Sequence, residues 1–157
     1  MASTTPHKIM LQTNEEATAR PVFEDLLASV ALTPGEILAV SSGALIPHGS
    51  ANGAAKPLRV AEKSDTISDP TAVAIDHDYE AGEGVNYLMP QPGDLCYIFV
   101  KASEVMVKGV TLLSSDGAGA LQAIVPDATT VTGTVVAQAE EDKTVGGTRE
   151  RVKVRIL

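Results

Sequence analysis

Apolar and polar positions along this chain come in short bursts broken by Gly, Pro, Asn and Asp, which predicts strands joined by turns. The clearest burst is the last one, where Arg149, Arg151, Lys153 and Arg155 alternate with Val152, Val154 and Ile156. Side chains two apart share one face of a strand, so this segment reads as a half-buried strand with one basic face. Residues 95–101 lack that alternation and are the most apolar stretch, which predicts a central strand covered on both faces. Residues 36–41 and 44–46 flank Ser42-Gly43 as a hairpin. Further strands are expected at 58–61, 71–76, 85–89, 105–107, 110–113, 121–125 and 131–139, with turns at 47–53, 79–84 and 114–119. The acidic run Glu140-Glu141-Asp142 ahead of Gly146-Gly147 predicts a terminal hairpin with the basic strand.

One stretch follows a different period. Pro21 suits a first helical position. Val22, Phe23, Leu26, Leu27 and Val30 follow a three-or-four spacing, which predicts one short helix ending at Thr33-Pro34-Gly35. Residues 1–20 are polar and Thr-rich and predict an extended arm. The expected fold is mainly β: a small barrel or sandwich over 34–157, preceded by an N-terminal arm over 1–33 that includes the helix. No internal repeat of the kind that builds solenoids or propellers interrupts this reading.

Composition refines the picture. The 157 residues hold three Tyr, two Phe and no Trp, so the core must be aliphatic. Thirteen Gly and nine Pro suit many turns. The net charge of −8 argues against nucleic acid and against an anionic membrane surface, since both select cationic proteins. The longest apolar run, Leu95–Val100, is far too short for a membrane-spanning helix. The opening residues lack the apolar stretch of a secretory signal. A single cysteine makes no internal disulfide, so a reducing cytoplasm is the expected site of synthesis.

Candidate chemistry is sparse. Asp76 and Asp78 would share a strand face and could converge on a cation, with His77 opposed, but the segment runs into a turn where charged groups face water. Ser41, Ser42, Ser50, Ser114 and Ser115 lie near turns without a G-x-S-x-G elbow. His48 lies two residues from Ser50, yet catalytic pairs are assembled by the fold and not by adjacency. Cys96 sits inside an apolar strand that raises a thiol pKa and hides it. No phosphate-binding glycine loop is present. The reading is of a non-enzyme without metal or cofactor. The basic face of the last strand has two readings: cross-strand pairing with Glu140, Glu141 and Asp142, or a charged seam against another subunit.

The order of these segments resembles the family of tailed-phage capsid decoration, or head cement, proteins. The resemblance runs from about residue 33 to 157. It begins with Pro34-Gly35-Glu36-Ile37-Leu38, the Ile46-Pro47-His48 loop and the Ala-Gly-rich stretch after it. It continues through Tyr79-x-x-Gly82, Pro92-Gly93-Asp94-Leu95-x-Tyr97 and Val107-Lys108-Gly109-Val110-x-Leu112 to Ser115-Asp116-Gly117, and ends at Val152-Lys153-Val154-Arg155. Gly84-Val85 and Lys108-Gly109-Val110 lack the Asp after Gly found in the commonest versions.

The resemblance implies a homotrimer on the outer surface of the virion head, clamping neighbouring capsomers after expansion. Its partners would be the major capsid protein and itself, with no nucleic acid and no membrane. It implies that the arm adds strands to the shell. The contacts are then expected over 4–18 and 21–27, including Thr4, Thr5, Ile9, Leu11, Thr13, Val22 and Phe23. Subunit seams are expected at His48, Arg149, Arg151, Lys153 and Arg155. Two rivals stand beside this reading: a small hydrolase or lyase centred on Asp76, His77 and Asp78, and a cytoplasmic β-barrel module that binds a ligand or peptide.

Overall fold

The apolar strand Leu95–Val100 and the alternating strand Glu150–Ile156 lie side by side, antiparallel, in register from Glu150↔Val100 to Arg155↔Leu95. They are β7 and β13 in this computed structural model, which describes residues 9–12, 22–53, 55, 57–63, 74–124 and 135–157. The other strands among the described residues are β1 (Met10–Gln12), β2 (Val22–Phe23), β3 (Ile37–Ser41), β4 (Ala44–Pro47), β5 (Arg59–Ala61) and β6 (Tyr87–Leu88). They continue with β8 (Val105–Met106), β9 (Leu112–Ser115), β10 (Leu121–Ile124), β11 (Ala137–Ala139) and β12 (Lys143–Thr144).

A barrel closes around β7. β13 pairs with β11, β11 with β9, β9 with β10, and β10 returns in parallel to β7 at Leu121↔Val100. Strand alternation fills it. Cys96, Ile98 and Val100 from β7 meet Val152, Val154 and Ile156 from β13 in one core, and none of the six is more than 4% exposed. A second, antiparallel sheet runs β2-β6-β5-β3-β4. Its two faces serve two cores. Ile37, Val60 and Leu88 face the barrel core, while their neighbours Leu38, Ala61 and Tyr87 join Ala28, Leu32, Leu45, Tyr79 and Val85 on the far side. The chain therefore stacks a barrel, a sheet and a covering layer made by segments around 28–32 and 79–85.

The hairpin between β3 and β4 has a two-residue loop, Ser41↔Ala44 being the last pair. Ser42 and Gly43 both have positive φ, 50° and 78°. The right-handed twist of a two-residue hairpin requires that conformation. β12, in the connection from β11 to β13, pairs with β8 from the connection between β7 and β9, so the loop of the terminal hairpin is itself structured.

Three expectations are corrected. Residues 22–30 are not a helix: β2 pairs with β6, Leu27 bridges Gly84 and Ala28 bridges Leu45. A helix of two and a half turns is marginal alone, and sheet edges offered this backbone better partners. Val22, Leu27 and Val30 are accordingly exposed rather than aligned on a buried stripe. Ala74–Asp76, expected within a strand, is one 3-10 turn; residues 71–73 lie outside the described residues. β7 is not covered evenly on its outer face, where Leu95 and Tyr97 stay half-buried and only Phe99 is closed off.

Of residues 1–33, read above as an arm, those described take part in both sheets. β1 lines β7 at Met10↔Cys96, with Ile9 fully buried in the barrel core. Leu32 is fully buried in the second core.

Candidate functional site

The basic face of β13 meets the second sheet at a charged joint. Arg149 and Arg151 stand two residues apart and so point the same way. Each guanidinium carbon lies 4.6 Å from the centroid of Phe99 on β7. Arg151 spreads its fork over three acceptors. Its Nε donates to Pro34 O at 2.9 Å, one terminal nitrogen to Asp76 Oδ1 at 2.7 Å, and the other to Ile75 O. Only an arginine can stack on a ring and serve three acceptors at once. Gly35 has φ +98°, and a Cβ there would sit 3.1 Å from Arg151 Nε. The Pro34-Gly35 turn needs its glycine on both counts.

Arg149 pairs with Glu36 and donates to Thr33 Oγ1 at 3.3 Å. Glu36 opens β3 as a buried carboxylate, and it also accepts the Thr33 N–H at 3.0 Å. Burial pushes its pKa up, and the Thr33 N–H and Arg149 only partly offset that, because desolvation disfavours the charged form. Farther along, Arg155 pairs with Glu140 at 2.6 Å and donates to Gly93 O at 3.1 Å. The expected pairing of side chains with the acidic run thus holds for Arg155 alone. Glu141 accepts the backbone N–H of Lys153 at 2.7 Å, and Asp142 that of Lys108 at 2.9 Å. Three of the four cations are engaged inside the chain. The Lys153 ammonium has no carboxylate partner among the described residues.

His48 is buried, and its partner is Ser115 rather than the neighbouring Ser50: its Nδ1 lies 2.7 Å from Ser115 Oγ. Ser115 also accepts the Gly117 N–H at 3.1 Å, and Asn52 Oδ1 accepts from Ser114 Oγ at 2.8 Å and Gln122 Nε2 at 3.0 Å. These bonds strap the 48–53 loop across the β9–β10 hairpin. Ser115 is fully buried, so the pair fastens a loop and presents no nucleophile to solvent.

The residues expected to touch a capsid divide. Thr4, Thr5 and Thr13 lie outside the described residues, and Leu11 is described only as backbone within β1. Ile9 is in the barrel core. Val22 is 46% exposed, while Phe23 stacks on Tyr87 at 5.5 Å between ring centroids. Tyr87 in turn donates to Asp25 Oδ1 at 2.7 Å.

Asp76 is engaged by Arg151, and His77 and Asp78 are exposed beside it. Among the described residues no group of three or more His, Cys, Asp or Glu could hold a metal ion. Cys96 is fully buried, its thiol pushed up to about 12 first by burial and then by Asp94 and Glu62. An apolar cleft of about 290 Å³ opens at one end of the barrel, lined by Pro57, Leu58, Met89, Pro90, Val136 and Ile156 among others.

Sequence reasoning missed the partners that define the joint: Glu36 and Phe99 read as ordinary strand residues, and Asp76, singled out as a candidate cation ligand, is instead the counter-ion of Arg151. The one available signal was Glu36, a carboxylate opening an otherwise apolar strand, which needs a cation if it is buried. Comparison with protein-family models and with curated proteins finds no match for this chain.

Proposed function

We propose that this chain is a capsid decoration protein of a tailed phage, binding the outer surface of the expanded head as a homotrimer and bridging capsomers. The observation that carries the reading is the ordered succession of segments quoted above, several of which fall on turns of a β-rich fold built on a closed barrel. Pro34-Gly35-Glu36 forms the joint. Pro92-Gly93-Asp94 is the turn that opens β7, with Asp94 accepting the Gln91 N–H at 2.8 Å. Ser115-Asp116-Gly117 closes the β9–β10 hairpin, with Asp116 accepting from Ala118 and Ala120. A net charge of −8 suits an outer surface kept apart from packaged DNA. In this reading the protein acts passively: many copies turn a modest contact into a stable clamp through avidity. Ile9 contributes to the barrel rather than to the shell while β1 stays in place, so Val22 and the residues before Ile9 take over the expected capsid contact. With Arg149, Arg151 and Arg155 engaged internally, Lys153 is the cation of that face left for a neighbouring subunit.

The test is co-sedimentation of the purified protein with expanded heads of its source virus, with unexpanded heads as control. Saturable binding to expanded heads alone is the expected result. Binding to neither refutes the reading and favours the ligand- or peptide-binding module. The apolar cleft at the barrel end is the supporting observation for that module, since ligand sites are concave and mostly apolar.

A further inference from the structure

Among the described residues, β1 lines the barrel on an edge of β7, yet the strand that follows it in the chain, β2, belongs to the other sheet. β13 covers one edge of β7 along its whole length. On the other edge β10 reaches β7 at a single register pair, Leu121↔Val100, with Lys101 N–H donating to Leu121 O at 2.8 Å. The remaining edge, Leu95 to Tyr97, would present unpaired backbone groups from the most apolar strand of the chain. Such an edge is a template for any strand that can reach it. β1 fills it, at Met10↔Cys96 and Gln12↔Leu95, with Tyr97 N–H donating to Ile9 O at 2.6 Å and the Ile9 side chain sealed in the core.

The connection does not dictate which barrel receives this strand. β3 and β4 are joined by two residues and must pair within one chain. β1 is followed by nine residues, Thr13 through Pro21, before β2, which belongs to the other sheet. Fully extended, a connection of that length reaches roughly 30 Å. Its sequence, TNEEATARP, is polar and charged and carries no apolar run of its own.

We propose that β1 is an exchangeable strand, and that in the self-associated protein residues 9–12 of one copy fill the β7–β10 gap of a second copy. The contacts made are the same in either case, so the choice is set by concentration. A short tether holds its strand at an effective concentration on the order of millimolar. A neighbouring copy competes once copies are crowded to that level. Exchange that passes from copy to copy is head-to-tail and closes into a ring where the rotation permits. The proposal stands independently of the capsid reading and is tested without heads.

The test uses the chain's own cysteine. Directly opposed residues of an antiparallel pair have Cα atoms roughly 4.5–5.5 Å apart, within disulfide range. Met10→Cys therefore places a thiol opposite Cys96. Reduced 15N-labelled and unlabelled copies of this variant are mixed, concentrated into the millimolar range, oxidised and digested. Exchange is expected to give linked peptides, joining positions 10 and 96, with one heavy and one light half, in a proportion that falls on dilution. Linked peptides of uniform isotope at every concentration would show that each strand stays in its own barrel and would overturn the proposal. Absence of linkage both at 10–96 and at the second register contact, 12–95, would overturn the pairing on which it rests. The same readout at the second register contact, Gln12→Cys with Leu95→Cys in a Cys96→Ser chain, guards against a first variant that fails to fold.

Discussion

Ile9 is the residue on which the two views of the N-terminus differ most. Read as part of an arm, it contributes almost nothing to the stability of the domain, and removing it leaves the melting temperature unchanged. In the structure it is fully buried in the barrel core and its carbonyl completes the edge of β7. Ile9→Ala then removes three buried carbons and leaves a cavity between β1 and β7. Such truncations cost about 2–5 kcal/mol, and a short strand that can settle inward places this one near about 3 kcal/mol. For a chain of this length each kcal/mol moves the midpoint by roughly 2–4 °C, so the expected fall is roughly 6–12 °C. Calorimetry and urea denaturation of Ile9→Ala and Val22→Ala provide the measurement. Val22 is 46% exposed. Truncating an exposed side chain of this kind should leave stability within about 0.5 kcal/mol of the parent. An Ile9→Ala chain indistinguishable from Val22→Ala would refute the placement of β1 in the barrel wall.

Other outcomes follow from the joint and the core. Arg151→Met leaves Pro34 O and Ile75 O without their donor in a poorly solvated place. The expected cost in denaturation is about 2–3 kcal/mol. Arg151→Lys should recover little of that, since one ammonium cannot stack on Phe99 and reach all three acceptors. Glu36 titrates above its ordinary 4.5 through burial, so the folded chain keeps a proton the unfolded chain has already lost. Stability from this group therefore falls as pH rises from 4.5 through the folded value, and Glu36→Gln should flatten that part of a stability–pH profile. Glu150 is held low by the Gly146 N–H and Lys143. It acts in the opposite sense, its small surface contribution vanishing as acid is added. Cys96, with its thiol pushed up to about 12, should resist a disulfide reagent in the native protein. It should react only at the rate of opening, which a denaturant series measures.

Much of the architecture is legible in the alternation of apolar positions. β13 keeps Val152, Val154 and Ile156 inside and its cations outside, as its period of two requires. The Ser42-Gly43 hairpin is legible because a two-residue loop leaves the backbone few conformations. The segment 22–30 misleads because a helical spacing over nine residues is weak. Its decisive partners, β6 and the edges near Leu45 and Gly84, are remote in sequence. The succession of segments resembling decoration proteins is likewise visible as order along the chain, and it remains the support for the proposed function.

What the sequence by itself determined is local: which residues alternate, where turns must fall, that Cys96 is surrounded by apolar neighbours, and that the net charge is acidic. The tertiary structure decided everything that depends on partners far apart in the chain. It chose Glu36 and Asp76, not the nearby acidic run, as counter-ions for Arg149 and Arg151. It chose Ser115, not Ser50, as the partner of His48. It drew Ile9 into the barrel because the edge of β7 left open by β10 carries backbone groups that must be satisfied. Charges and hydrogen-bonding groups are selective only at close range, and which groups come that close is fixed by the closure of the barrel, a property no local pattern encodes.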